Sequence, residues 1–167
     1  MTSECSVKLR RTAAPVQVAT GERVLALAES AEGPVAATKV ALYLPGGRRI
    51  PWEQVKSADW DVESETLRVT EVGTWGEVRP IHAFTLTESA RLLQLVRERV
   101  TASVVLTRHV PIRGKRGVRV IARRAPVGRG ELSWLFEYDV GIDPDDPFVA
   151  QAAEEALLAA RDDVGDR

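Results

Sequence analysis

VRPIHAFTLTESARLLQLVRERV, residues Val78–Val100, changes its hydrophobic period part-way along. As far as Leu86 it reads as a strand. Beyond Glu88, Leu92, Leu95, Val96 and Val100 recur at helical spacing, with Arg91, Gln94, Arg97 and Glu98 on the opposite side. Thr85 and Glu88 stand three apart, as an N-cap residue and its acidic partner do in a capping box. The spacing predicts a helix over about 88–103. A run of strands closing on one helix, with strands resuming beyond it, defines an α+β chain.

Upstream, short apolar runs alternate with turn signals. Arg23–Glu29 reads as a strand, Glu32-Gly33-Pro34 as a turn, and Val35–Leu44 as one buried strand. Pro45-Gly46-Gly47 is a hairpin connection, and Arg49–Val55 resumes an extended pattern with Pro51 at an edge or irregular position. Lys56–Val62, Thr66–Val72 and Val78–Leu86 complete the meander. Residues 1–20 lack periodicity and read as a flexible arm, mobile over 1–18.

Downstream, Val104–Ile112, Val118–Arg124 and Leu132–Val140 read as three further strands, joined by the basic turn RGKRG at 113–117 and by Val127–Gly130. Gly114 and Gly117 are assigned to turns for their backbone freedom. On the last strand Trp134, Phe136 and Tyr138 should face the core, with Leu135 more exposed or under the closing helix. That helix opens at Asp146 as N-cap with Pro147 at its first position, runs on a narrow alanine face, and stops at Gly165. The expected organisation is an arm (1–20), a meander with its helix (21–103), and a second meander with a C-terminal helix (104–165), packed as one body.

Over residues 21–103, the segments ALYLPGG, RRIPWEQV and LRVTEV and the passage HAFTLTESARLLQLV resemble the bacterial pleckstrin-homology-like fold. The resemblance implies an antiparallel PH-like meander capped by a helix, and a binding scaffold for peptides, proteins or phosphoinositides. Fold alone does not choose among these. Lipid-binding members carry basic residues around the first hairpin. Here that turn holds Glu29 and Glu32, which argues against a phosphoinositide ligand.

The 167 residues carry 23 basic and 24 acidic side chains and 44% hydrophobic residues, which excludes wholesale disorder. A chain of this length buries roughly 70% of its unfolded surface without metals or disulfides. The single cysteine, Cys5, excludes an internal disulfide and any multi-cysteine zinc site. The first fifteen residues lack the apolar core of a secretory signal, and no stretch approaches a membrane span, so a cytoplasmic protein without membrane insertion is expected. Nineteen arginines against four lysines fit the codon usage of a GC-rich bacterium.

The balanced net charge conceals a segregation. Residues 101–130 hold eight basic residues and no acid, whereas residues 131–167 hold eleven acids and two bases. The basic stretch either attracts a polyanion or faces the acids that follow it. The expectation is a split: Arg119 and Arg123, on one strand face, pair inside the molecule in part, while the hairpin tip of Arg113, Lys115 and Arg116 stays free to dock a partner. Trp75, flanked by Gly73 and Gly76, is a further candidate contact residue.

Catalytic signatures are missing. His82 and His109 lack metal-ligand spacing, and there is no GxSxG, GxxxxGK[ST] or GxGxxG. Asp143, Asp145 and Asp146 lack the glycine and glutamate of a calcium loop. The sequence therefore points to a non-enzyme without a cofactor. The first reading is a protein-interaction module, with strand addition at a sheet edge or meeting of a second copy through the alanine helix. The alternatives are nucleic-acid binding through the 108–129 hairpin and a small-molecule pocket between layers.

Overall fold

The computed structural model describes residues 16–74 and 77–166. Trp75 thus lies outside the described residues, as does the expectation about the arm up to residue 15. The fold is α+β; the described residues form three antiparallel sheets of four, three and three strands and two helices. The first sheet runs in sequence order, β1 (Ala26–Ser30), β2 (Gly33–Ala37), β3 (Ala41–Leu44) and β4 (Arg48–Pro51). A single 3-10 turn at Trp52–Gln54 leads into the second sheet, β5 (Val55–Asp61), β6 (Thr66–Glu71) and β7 (Ile81–Thr85). Helix α1 (Ala90–Ser103) follows. The third sheet, β8 (Val104–Arg113), β9 (Arg116–Arg123) and β10 (Ser133–Tyr138), has β9 at its centre, and α2 (Pro147–Val164) closes the chain.

Val35–Leu44 is two strands rather than one. Thr38 turns the chain: its Oγ1 accepts from the amides of Val40 (3.2 Å) and Ala41 (3.1 Å), so β3 doubles back on β2. All ten of these residues except Lys39 are shielded to some degree, and a continuous apolar run does not reveal a reversal inside it. The β3–β4 turn matches expectation, with Gly46 and Gly47 both at positive φ (85° and 83°). β1 begins three residues later than Arg23, because Glu22–Leu25 is drawn into side-chain bonds and a loop against the first sheet.

The capping box does not form. Thr85 ends β7, Leu86 and Thr87 are held by the carbonyls of Glu65 and Glu29, and Glu88 takes a left-handed φ of 50°. Helix α1 therefore starts at Ala90 behind Ser89, whose side chain makes no cap bond. The Glu29–Thr87 bridge links the first sheet to the end of the second. Between the two sheets and α1 lies the main core: Leu42, Ile50, Trp52, Val55, Leu67, Val69, Leu86, Leu92 and Val96. Trp52 is fully buried, and its Nε1 donates to the Thr38 carbonyl at 3.1 Å.

Residues 16–20 are not loose. Val16 and Val18 pack beside Ala36, Ala41 and Tyr43, and the Ala19 amide donates to the Tyr43 hydroxyl at 3.0 Å. Apolar residues two apart can line a sheet face, a signal too short to stand out in that segment.

The third sheet presents Val118 and Val120 of β9, with Trp134, Phe136 and Tyr138 of β10, to the alanine face of α2 at Ala153, Ala156 and Ala160. That alanine face is thus spent inside the chain and is not offered to a second copy. The exposure order on β10 is the reverse of the sequence expectation: Leu135 is 6% exposed, while Trp134, Phe136 and Tyr138 are half-buried. The sheet is covered on both faces. α2 is narrow and leaves the large rings partly uncovered, whereas Leu135 faces the first part of the chain. Gly117 is no turn residue either. It lies in β9, and a Cβ there would stand 1.9 Å from the Val110 carbonyl oxygen. Asp146 does cap α2, accepting from the Phe148 amide at 2.9 Å, and Gly165 ends it at φ 70°.

Candidate functional site

Two surfaces combine shape with chemistry. The first is a groove of about 570 Å³ between α1 and the β5–β6 hairpin. Its floor is Ala58, Trp60, Leu67, Leu93 and Val96, and its rim carries Val62, Asp59, Gln94 and Arg97. The pleat explains the floor: Trp60 sits opposite Leu67 and Ala58 opposite Val69, so all four side chains point to the α1 side. Among the described residues β5 is the outer strand of its sheet, and one of its edges has no neighbouring strand. Trp60 is only partly buried and Val62 is 77% exposed. An unpaired strand edge beside an apolar trough is a template for an extended chain. The sequence assigns no binding role to Trp60 or Val62, because an alternating strand does not reveal which edge stays open.

The second surface is the basic segment, which is largely consumed inside the molecule. Arg108 pairs with Asp163 on α2 (2.6 Å), Arg113 with Asp146 (2.6 Å), and Arg119 with Glu137 (3.4 Å). Arg116 donates to the Val140 carbonyl at 3.2 Å. The hairpin tip is therefore not free as expected. It lies beside the acidic loop that leads into α2, and two of its three cations are engaged there. Lys115 is exposed and extends from the tip.

Arg123 is 4% exposed. It donates to Ser103 Oγ at 2.9 Å and to the Lys56 carbonyl at 2.8 Å. Burial lowers its pKa, against the opposing pull of Glu137. Arg119 and Arg123 do share a strand face, turned toward the first part of the chain; Arg123 is buried there, while the Arg119 side chain stays partly exposed.

Both histidines sit beside carboxylates. His82 Nε2 is 2.7 Å from Glu71, which also receives two bonds from Arg48 (2.6 and 2.7 Å). Bonding from Arg48, then from His82, holds the Glu71 carboxyl below the usual range despite burial. His109 Nε2 is 2.8 Å from Asp139, whose carboxyl is lowered mainly by the Gly117 amide and then by His109. Glu22 accepts from Thr38, Tyr43 and Arg49. Burial raises its pKa, and those bonds together outweigh it. In each cluster the carboxylate is bonded from within the chain, which describes structural clamps. Among the described residues no three His, Cys, Asp or Glu side chains gather as metal ligands would, and no helix is long and apolar enough to cross a membrane.

Comparison with known proteins finds no matching family model, no matching curated protein and no matching solved structure.

Proposed function

We propose that the chain is a non-catalytic protein-interaction module of PH-like design, and that the α1/β5 groove takes an extended peptide from a protein partner. The observation that carries this reading is the apolar trough of Trp60, Leu67, Leu93 and Val96 beside the open edge of β5. Main-chain pairing along β5 would give affinity. An apolar side chain seated against Trp60 would give selectivity. The polyanion reading is weaker, because Arg108, Arg113, Arg119 and Arg123 already have partners within the chain.

The test is selection of random peptides against the wild-type protein, followed by titration of the enriched sequences into Val62→Asp and Leu93→Gln. Enriched peptides should carry an apolar anchor and lose about tenfold or more in affinity for both variants, with unchanged thermal unfolding for Val62→Asp. Peptides that bind both variants as tightly as wild type place the interaction elsewhere and sink the reading.

A further inference from the structure

The open edge of β5 carries a charge pattern as well as an apolar trough. Residues 57–68 hold four acids, Asp59, Asp61, Glu63 and Glu65, and one base, Arg68, all of them exposed. The pleat sorts β5 into two faces. Ala58 and Trp60 look toward α1 and the trough. Ser57, Asp59 and Asp61 look the other way, with Arg68 opposite Asp59 and Thr66 opposite Asp61. Asp59 accepts from the Ser57 hydroxyl at 3.2 Å, and Asp61 Oδ1 accepts from the amides of Glu63 and Ser64 at 2.9 and 3.1 Å. Neither carboxylate has a cation at salt-bridge distance among the described residues, and on this face one arginine stands for two acids.

The phase of the main chain decides what an added strand would meet. The Glu71 amide donates to the Pro80 carbonyl (3.0 Å), and the Glu65 carbonyl accepts from Leu86 (2.9 Å), so Leu67, Val69 and Glu71 bond toward β7. Thr66 and Arg68 bond toward β5, and their partners Asp61 and Asp59 bond back toward β6. The N–H and C=O groups of Ala58 and Trp60 therefore point out at the open edge. Pairing there starts beyond Lys56, whose carbonyl is already held by Arg123 at 2.8 Å. A strand laid on this edge sets two of its side chains opposite Asp59 and Asp61, about 5 Å away, with one between them beside Trp60.

We infer that the partner peptide carries lysine or arginine opposite both Asp59 and Asp61, with an apolar residue between them against Trp60. The inference rests on the peptide reading of this groove and specifies its ligand. Arg97 on the helix rim disfavours a basic side chain in the trough, so the alternation also fixes which face of the peptide turns inward. A second copy of the chain does not fit. Pairing β5 with itself about Trp60 would set Asp59 against Asp61 twice, and like charges directly opposite destabilise a strand pair.

The probe is the peptide Ser-Val-Lys-Leu-Lys-Val-Ser, acetylated and amidated, titrated into the full chain beside versions with both lysines replaced by Thr or by Glu. The lysine peptide should bind at least about tenfold more tightly than the glutamate peptide, with the threonine peptide between them, and the gap should narrow with salt. Asp59→Asn combined with Asp61→Asn keeps the turn acceptor of Asp61. It should bring the lysine peptide down to the affinity of the threonine peptide with thermal unfolding unchanged. Asp59→Asn alone, which leaves the turn untouched, should produce part of that loss. Leu93→Gln should weaken all three peptides. Equal affinity of the three, or a lysine preference that survives the double variant, overturns the inference; if Leu93→Gln still weakens them, the peptide reading stands without it. Failure of the lysine peptide to bind overturns the inference too, and the peptide reading is then decided by the response of randomly selected peptides to Leu93→Gln.

Discussion

Arg123 Nη2 donates to the main-chain carbonyl of Lys56 at 2.8 Å, joining the end of β9 to the start of β5 across 67 positions of sequence. The same guanidinium reaches Ser103 Oγ at the end of α1. One buried cation thus fastens the third sheet to both the second sheet and the first helix. Replacing Arg123 with Met keeps the volume and leaves two acceptors without their donor. The expected cost is about 1–3 kcal/mol, read from the urea midpoint. Two separated unfolding transitions in the variant would show that this contact is what makes the parts unfold together. A midpoint equal to wild type contradicts the assignment.

Leu135→Ala should cost about 2–4 kcal/mol, because the side chain is buried where the third sheet meets the rest of the chain. Trp134 is half-buried and is held by α2, with Arg161 over its ring at 6.0 Å and its Nε1 bonded to Asp166 at 3.0 Å. Trp134→Phe should therefore cost less than Leu135→Ala. The opposite order in denaturant unfolding would restore Trp134 to the centre of the core.

Gly117→Ala should disrupt the third sheet. The added Cβ would meet the Val110 carbonyl oxygen at 1.9 Å and Pro111 Cα at 2.7 Å, both backbone atoms of the paired strand. A loss above about 3 kcal/mol is expected, against the usual half to three for a point change. Gly114, at the neighbouring hairpin turn, has open space around its Cα, so Ala there meets only the strain of its positive φ. Circular dichroism with thermal melting separates the two.

Glu22, Glu71 and Asp139 titrate below ordinary carboxylates in the folded chain. Their unfolded values are higher, so the unfolded chain takes up protons first as pH falls. The stability these groups confer is complete above about pH 4.5 and is lost as pH drops through the folded values. Urea midpoints should be steady from about pH 7 to pH 5 on this account and fall below pH 4. Glu71→Gln should lower the midpoint at neutral pH and flatten the acid limb. An unchanged limb in that variant would place the acid sensitivity elsewhere.

Asp146 has two roles that substitution can divide. Asp146→Asn keeps an N-cap acceptor and removes the ion pair with Arg113, an exposed contact with a cost of about 0–1 kcal/mol. Asp146→Ala removes the cap as well, adding about 1 kcal/mol. Equal destabilisation by both would show that charge, not capping, holds the start of α2.

Much of the fold is written locally. The change of period at Leu86–Leu92, the glycines of the β3–β4 turn, and Asp146-Pro147 with Gly165 around α2 each rest on residues a few positions apart. Backbone preference and capping act at that range. Where long-range contacts won, local signals misled. Thr85 and Glu88 have the chemistry of a capping box, but pairing of Thr87 with Glu29 holds that segment extended and moves the helix start to Ala90.

The candidate sites were less legible. Trp60 and Val62 read as ordinary strand residues, and only the position of β5 at a sheet edge, beside α1, makes them a trough. The sequence by itself determined the α+β class, most element positions and the segregation of charge between 101–130 and 131–167, because these depend on composition and short-range periodicity. Tertiary structure alone decided which arginines are spent and which remain. Coulomb and hydrogen-bond energies act over a few ångströms of space, and only chain packing brings Asp163 to Arg108, Asp146 to Arg113 and the Lys56 carbonyl to Arg123.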